Sequence, residues 1–329
     1  MKNWQNVIKG KFGMGTAPLG NMFKDVPDEQ AYETIETAWN EGVRYFDTAP
    51  LYGAGLAELR LGKVLSQYSR NDYLLSTKVG RVILDETEEK EGLYADGRKN
   101  KVVTNYTEDA TKRSIEQSLK RLQTDRIDFV YVHDLSPDYF GDEWVAKFDE
   151  ARKGAFHVLD QLQDEGVIGG WGLGVNTTIP IELALSMEDV NPSISLSATQ
   201  YTLLQHEQAL QSMMPRAVDN NMGIVVGAPF SSGALLGGDH FNYEKVPPNV
   251  KSKIKQLTEI ANHHDVSLSA AALQFATAHP AVAAVIPGST HPNRIKEDIH
   301  AMEEKIPEAF WKDLIEKKLI SSRAPLPAK

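Results

Sequence analysis

The stretch Gly42-Val43-Arg44-Tyr45-Phe46-Asp47-Thr48-Ala49-Pro50-Leu51-Tyr52-Gly53 contains one complete turn of the pattern from which the fold is read. Gly42 stops a helix, residues 44–47 form a short strand ending on an acid, and a loop with Pro50 closes at Gly53. Helical spacing resumes over Leu56–Leu65, with Leu61 and Leu65 four apart. The unit is strand, loop, helix, with Asp47 at the strand end and Tyr52 five residues on. Asp titrates near pH ~4 and Tyr near pH ~10. A tyrosine becomes a useful proton donor only where a cation lowers its pKa, so the rest of the chain must supply that cation.

The same unit recurs on both sides. Upstream, residues 12–16 are a glycine-rich strand and loop. Pro27, Asp28 and Glu29 then open a helix whose apolar positions are Ala31, Ile35, Ala38 and Trp39. Downstream, strands are expected at 73–79, 127–133, 167–175, 194–198, 223–226 and 282–286. Helices are expected between them, one N-capped by Thr107 with Ile115, Leu119 and Leu122 as its apolar face. Three long loops, a polar one at 81–106, a second containing Pro137, Tyr139 and Trp144, and a third at 229–248 rich in glycine and aromatics, interrupt the rhythm, and a loop as long as the first is functional or mobile.

Eight strands each followed by helical material imply a parallel sheet. With no linker or composition shift along 1–329, a closed single-domain (β/α)8 TIM barrel is favoured over an open doubly wound sheet. In such a barrel the working residues sit at the C-terminal strand ends and in the loops that follow, where all three long loops fall.

Composition narrows the function. The 329 residues are 41% apolar and 24% charged, an ordinary globular balance, with a formal net charge of -10 that argues against nucleic-acid or anionic-membrane partners. There is no cysteine, which excludes disulfides, thiolate metal sites and a cysteine nucleophile and fits a cytoplasmic location. Met1-Lys2-Asn3-Trp4-Gln5-Asn6 lacks the apolar core of a signal peptide, and no apolar run approaches the ~20 residues of a membrane span. The histidines, including the neighbours His263 and His264, show no metal-ligand spacing.

In this register Asp47, Lys78 and His133 each end a strand, and Tyr52 begins the loop after the strand carrying Asp47. Strand-end charges are often solvated, and Asp47 with Lys78 reads equally as a structural ion pair. An acid, a phenol, an ammonium and an imidazole on one rim are also what a proton relay through tyrosine requires.

Residues 42–53, with the strand-ending Lys78 and His133, resemble the signature and catalytic set of the aldo-keto reductases. The resemblance spans essentially the whole chain and is strongest to the group of D-threo-aldose (L-fucose) 1-dehydrogenases and pyridoxal 4-dehydrogenases. It extends through Ser76-Thr77-Lys78-Val79-Gly80-Arg81, Tyr201-Thr202-Leu203-Leu204 and Ile286-Pro287-Gly288-Ser289. It implies an oxidoreductase using NADP or NAD that interconverts a carbonyl and an alcohol on a sugar or similarly polar small molecule. Tyr52 would be the general acid/base, Lys78 its cation, Asp47 the partner of Lys78, and His133 the group that orients the substrate oxygen.

The resemblance also implies a cofactor lying across the barrel mouth against Gly15, Thr16, Asp47, Asn176, Gly288, Ser289, Thr290, Arg294, Glu297 and Asp298. Three departures stand out. Gly288 replaces a lysine common in NADP-preferring relatives, Gly227 falls near the aromatic that stacks on nicotinamide in many, and Gly174 and Ala198 replace the carboxamide-binding serine and glutamine. Gly170-Trp171-Gly172-Leu173-Gly174 is glycine-rich but lacks the strand–turn–helix context of a dinucleotide loop, and reads as a tightly packed strand. Asp134, beside His133, binds substrate hydroxyls or caps a loop. Loop aromatics such as Tyr139, Phe230 and Tyr243 wall a pocket or anchor the loops. Two other readings stand beside the enzyme: a nicotinamide-binding redox sensor regulating a partner, and a cofactor-free barrel isomerase or lyase.

Overall fold

The computed structural model describes residues 4–327; Met1, Lys2 and Asn3, where the N-terminal reading begins, lie outside the described residues, as do Ala328 and Lys329. Eight parallel strands form one sheet in sequence order: β1 (Met14–Gly15), β2 (Tyr45–Asp47), β3 (Leu74–Val79), β4 (Phe129–His133), β5 (Gly170–Val175), β6 (Ile194–Ala198), β7 (Gly223–Gly227) and β8 (Val282–Ile286). Parallel bridges Phe12↔Val285 and Gly15↔Gly288 return the first strand to the last and close the barrel. Closure needs glycine on both sides. A Cβ on Gly288 would stand 2.8 Å from Pro18 Cδ, and one on Gly15 would stand 3.0 Å from the Ile286 carbonyl oxygen.

Strands buried on both faces read as continuous apolar runs, as β8 does, whereas β6 alternates apolar residues with Ser195 and Ser197, which are buried as well. Tyr45, Phe129, Tyr131, Ile194, Leu196 and Val225 fill the barrel, and a short N-terminal helix, Trp4–Val7, packs against that cluster. A second apolar layer lies between strands and helices. Helices α1 (Asp28–Asn40) and α2 (Leu56–Leu65) match their expected positions.

The loops differ from expectation. Residues 81–106 are largely an antiparallel arm, Arg81–Thr87 paired with Asn100–Thr104, because Val82 and Ile83 sit opposite Val103 and Val102. The Pro137–Trp144 stretch is helical and runs into a helix from Trp144 to Asp164 that includes a π-helical turn, Arg152–Phe156. In α3 (Glu108–Leu122), which Thr107 does cap, the buried face is Ala110, Thr111, Ser114, Ser118 and Leu122, with Ile115 and Leu119 half-buried. Small side chains win there because α2 and α3 touch closely: a Cβ on Gly62 would lie 2.4 Å from the Arg121 carbonyl oxygen. A further helix, Glu308–Glu316, was not anticipated by the strand–helix rhythm.

Candidate active site

The C-terminal rim gathers Asp47, Lys78 and His133 from three strands and Tyr52 from the loop after β2. Asp47 closes β2 and Lys78 lies in β3, and their side chains meet at 2.7 Å while 2% and 1% exposed. Asp47 Oδ1 accepts a 2.7 Å hydrogen bond from the Ser76 hydroxyl, Lys78 Nζ donates to the Thr48 carbonyl at 2.8 Å, and the Thr16 hydroxyl donates to the Asp47 carbonyl at 2.9 Å. A buried pair whose two carboxylate oxygens and ammonium all carry hydrogen bonds recovers part of the cost of desolvating both charges. The Tyr52 ring lies 4.9 Å from Lys78 Nζ, packs edge-on to His133 at 5.7 Å between centroids, and stacks on Tyr94 of the arm at 5.9 Å.

Backbone contacts fix the Tyr52 loop. Gly53, at φ +64°, presses on Gly20, where a Cβ would lie 2.3 Å from the carbonyl oxygen. A Cβ on Gly20 would lie 2.5 Å from the Tyr52 carbonyl carbon, and one on Gly97 of the arm 2.7 Å from Gly53 Cα. The segment carrying Gly20 is itself anchored by Arg60 of α2, which bonds the Leu19 and Val26 carbonyls, Asn21 and Asp28. His133 is held from behind by the Tyr106 hydroxyl, which donates to its carbonyl at 2.7 Å. The π-helical turn secures Tyr106 in turn, with the Ala155 amide donating to the Tyr106 carbonyl.

Burial governs the protonation states. It pushes the Tyr52 phenol well above its usual value, with the Asp47 charge adding to the effect. The expected lowering by Lys78 is not the net result, because burial dominates and the Asp47 charge adds to the rise. Burial also raises Asp47, against the pull of Lys78. His133 is held well below the ordinary imidazole range by burial and by the Lys78 and Arg81 charges. Near neutrality the rim therefore presents a protonated phenol and a neutral imidazole.

Two cavities open on Tyr52. One, of about 500 Å³, runs between Tyr52 and Arg294 and is lined by Gly15, Asp47, Gly227, Gly288, Ser289 and Thr290 among others. The second, of about 560 Å³, lies under the arm and is lined by Lys78, His133, Asp134, Tyr94, Arg98 and Asn176 among others. Both are of ligand size.

The placement of the anticipated cofactor residues divides. Gly15, Asp47, Gly288, Ser289, Thr290 and Arg294 line the first cavity and Asn176 the second; Thr16 lies behind, bonded to Asp47. Glu297 and Asp298 do not reach the cavity wall. They ion-pair with Arg294 at 3.6 and 3.0 Å, and the fully buried Asp298 is raised to about 6 by that burial. The glycine-walled cavity, with Ser289 and Thr290 leading into the helix Pro292–Ala301, fits a dinucleotide. Sequence reasoning missed Tyr94, Arg98 and the Arg81–Asp134 pair, because the arm that brings them in had been read as a loop.

The sequence profile described as "Aldo/keto reductase family" matches residues 11–318. The chain is 32% identical to the D-threo-aldose 1-dehydrogenase of a Pseudomonas species, and 33% identical to the pyridoxal 4-dehydrogenase of Microbacterium luteolum. Each alignment covers 94% of both proteins. Among solved structures, the holo form of aldo-keto reductase AKR11C1 from Bacillus halodurans superposes with a TM-score of 0.70 at 25% identity, covering 95% of this chain and 92% of that one.

Proposed function

The chain belongs to the Aldo/keto reductase family and is an NAD(P)-dependent oxidoreductase, and from that premise we propose that it interconverts an aldose, or a similarly polar aldehyde, with its oxidised or reduced partner through proton transfer at Tyr52. The observation supporting this reading is the position of Tyr52 on the wall shared by both cavities. A nicotinamide cofactor supplies or accepts the hydride when bound, and Gly15, Gly288, Ser289, Thr290 and Arg294 are the residues that would hold it.

The protein's own residues manage the proton and the geometry. Tyr52, kept protonated by burial, donates to the carbonyl oxygen in reduction; in oxidation it is the phenolate of Tyr52, after the phenol has lost its proton, that accepts the hydroxyl proton. Lys78, aimed by Asp47, stabilises the phenolate charge that develops. His133, neutral and carrying one N–H, hydrogen-bonds the same substrate oxygen and orients it. Stacking of Tyr94 on Tyr52 closes one side of the site against water.

The polar residues of the second cavity, Asp134, Arg98 and Asn176, favour a hydroxylated substrate over an apolar one. The sequence relatives act on an aldose and on pyridoxal by name. The cytoplasmic location belongs to the same proposal; a chain without cysteine fits a reducing compartment. The test is an absorbance assay at the nicotinamide wavelength with NAD and NADP, in both directions, against aldoses, pyridoxal and small aldehydes. Turnover of polar aldehydes or aldoses is expected; tight cofactor binding without turnover of any of them would refute the reading.

A further inference from the structure

The carboxylate of Asp134 is a side chain in the second cavity that the proton chemistry does not use. It follows His133 directly, at the end of β4, in a left-handed backbone conformation (φ +52°) that Asp tolerates better than most residues. Its backbone is fixed at both ends, its amide donating to the Gly174 carbonyl at 2.9 Å and its carbonyl accepting from Ser136 at 3.0 Å.

The carboxylate is held from one side only. Arg81, 1% exposed, donates to Oδ2 at 3.0 Å and is itself bonded to Thr104 and covered by the Tyr139 ring at 4.4 Å. Oδ1 makes no hydrogen bond among the described residues and lies 3.7 Å from His133 Nε2. The side chain is 15% exposed, and Asp134 lines the cavity that also contains Tyr52 and His133. An acceptor therefore stands beside the imidazole that orients the reacting oxygen. Their separation is of the order of that between two oxygens on adjacent carbon atoms.

Resting on the function proposed above, we infer that Asp134 is a specificity residue that accepts a hydrogen bond from the hydroxyl on the carbon next to the reacting one. The substrate class is then the 2-hydroxy aldehyde, including aldoses in either open or ring form, and not the simple aldehyde. Arg81 keeps the acceptor in place and turns Oδ1 toward the substrate. A simple aldehyde leaves Oδ1 without its partner, and a hydrogen bond to a charged group is worth roughly a 10- to 100-fold preference.

The experiment compares glyceraldehyde with propanal as reductive substrates, measuring kcat/KM for each with the preferred cofactor. The wild-type enzyme is expected to favour glyceraldehyde by roughly 10- to 100-fold. In Asp134→Asn the amide oxygen faces Arg81 and its N–H faces the cavity, so this preference should collapse to within a few-fold. Equal kcat/KM values for the two aldehydes in the wild-type enzyme, a comparison that needs no variant to fold, would overturn the assignment and leave the proposed function standing. An unchanged preference in Asp134→Asn would also overturn it, pointing to a purely structural part for Asp134. Turnover of neither aldehyde, nor of any aldose, would bring down the proposed function and this inference together.

Discussion

The Lys78 ammonium stands 4.9 Å from the centre of the Tyr52 ring, and no hydrogen bond among the described residues joins the two. Lys78 instead bonds Asp47 and the Thr48 carbonyl, so its influence on the phenol is exerted through space and grows when the phenol loses its proton. Tyr52→Phe removes the proton without disturbing the ring packing against Tyr94 and His133. We expect turnover to fall by roughly 10²–10⁴-fold while cofactor affinity, followed by tryptophan fluorescence, stays within a few-fold. Full activity in that variant would remove Tyr52 from the mechanism.

The Asp47–Lys78 pair is almost inaccessible to water. Asp47→Asn leaves a buried ammonium without its counter-charge, a change that typically costs about 3–5 kcal/mol. A clear loss of thermal stability should accompany the loss of activity. Asp47→Asn combined with Lys78→Met removes both charges and should recover much of the stability but none of the activity. Calorimetry and the nicotinamide assay, run on the same samples, separate the two effects.

Burial, aided by Lys11, holds His279 down to about 4. The unfolded chain protonates this imidazole near ~6.5, so between about 4 and ~6.5 the unfolded state binds more protons and stability falls as pH falls. Replacement by a residue that does not titrate, His279→Asn, should remove this contribution, so that Tm falls less, relative to the wild type, as pH drops through this window. Asp298, raised to about 6, acts in the opposite sense: over its window the folded state binds more protons, and stability falls as pH rises. An unchanged slope in His279→Asn would mean that this imidazole is not held neutral.

Gly20, Gly53 and Gly97 bring three loops into backbone contact beside the phenol. Gly20→Ala places a methyl group 2.5 Å from the Tyr52 carbonyl carbon, and the loop must shift to admit it. Because small misplacements of catalytic groups are costly, kcat should drop by about tenfold or more. Far-ultraviolet circular dichroism should remain that of the parent. Wild-type kinetics in Gly20→Ala would show that the loop can yield without moving Tyr52.

What could be read in the chain and what could not differ in physical kind. Ile194–Ala198, Val282–Ile286 and Leu56–Leu65 are local: a doubly buried strand or an amphipathic turn announces itself within ten residues. Asp47, Lys78 and His133 were legible because each sits at or next to a strand end and closure brings strand ends together, and Tyr52 because it lies in the loop directly after one of them. The arm over residues 81–106 was hidden because its pairing depends on Val82, Ile83, Val102 and Val103 meeting across a charged tip. The Arg81–Asp134 pair was hidden with it, since nothing near either residue signals the other. Glu297 and Asp298, expected at the cofactor, turn instead toward Arg294 on their own helix, an i,i+3 and i,i+4 relation that offers a competing reading of the same charges.

Gly15 and Gly288 are the bridge that completes the barrel, and they also line the first cavity. One wall of that cavity is therefore made by the beginning of the chain and the other by its end. During synthesis the first strand can pair with β2 early, but its other edge must wait for Val285 and Gly288 to emerge. No nascent fragment that ends before Gly288 has both walls of that cavity, so a ligand that needs both cannot assist the early steps of folding and can only reward the finished circle.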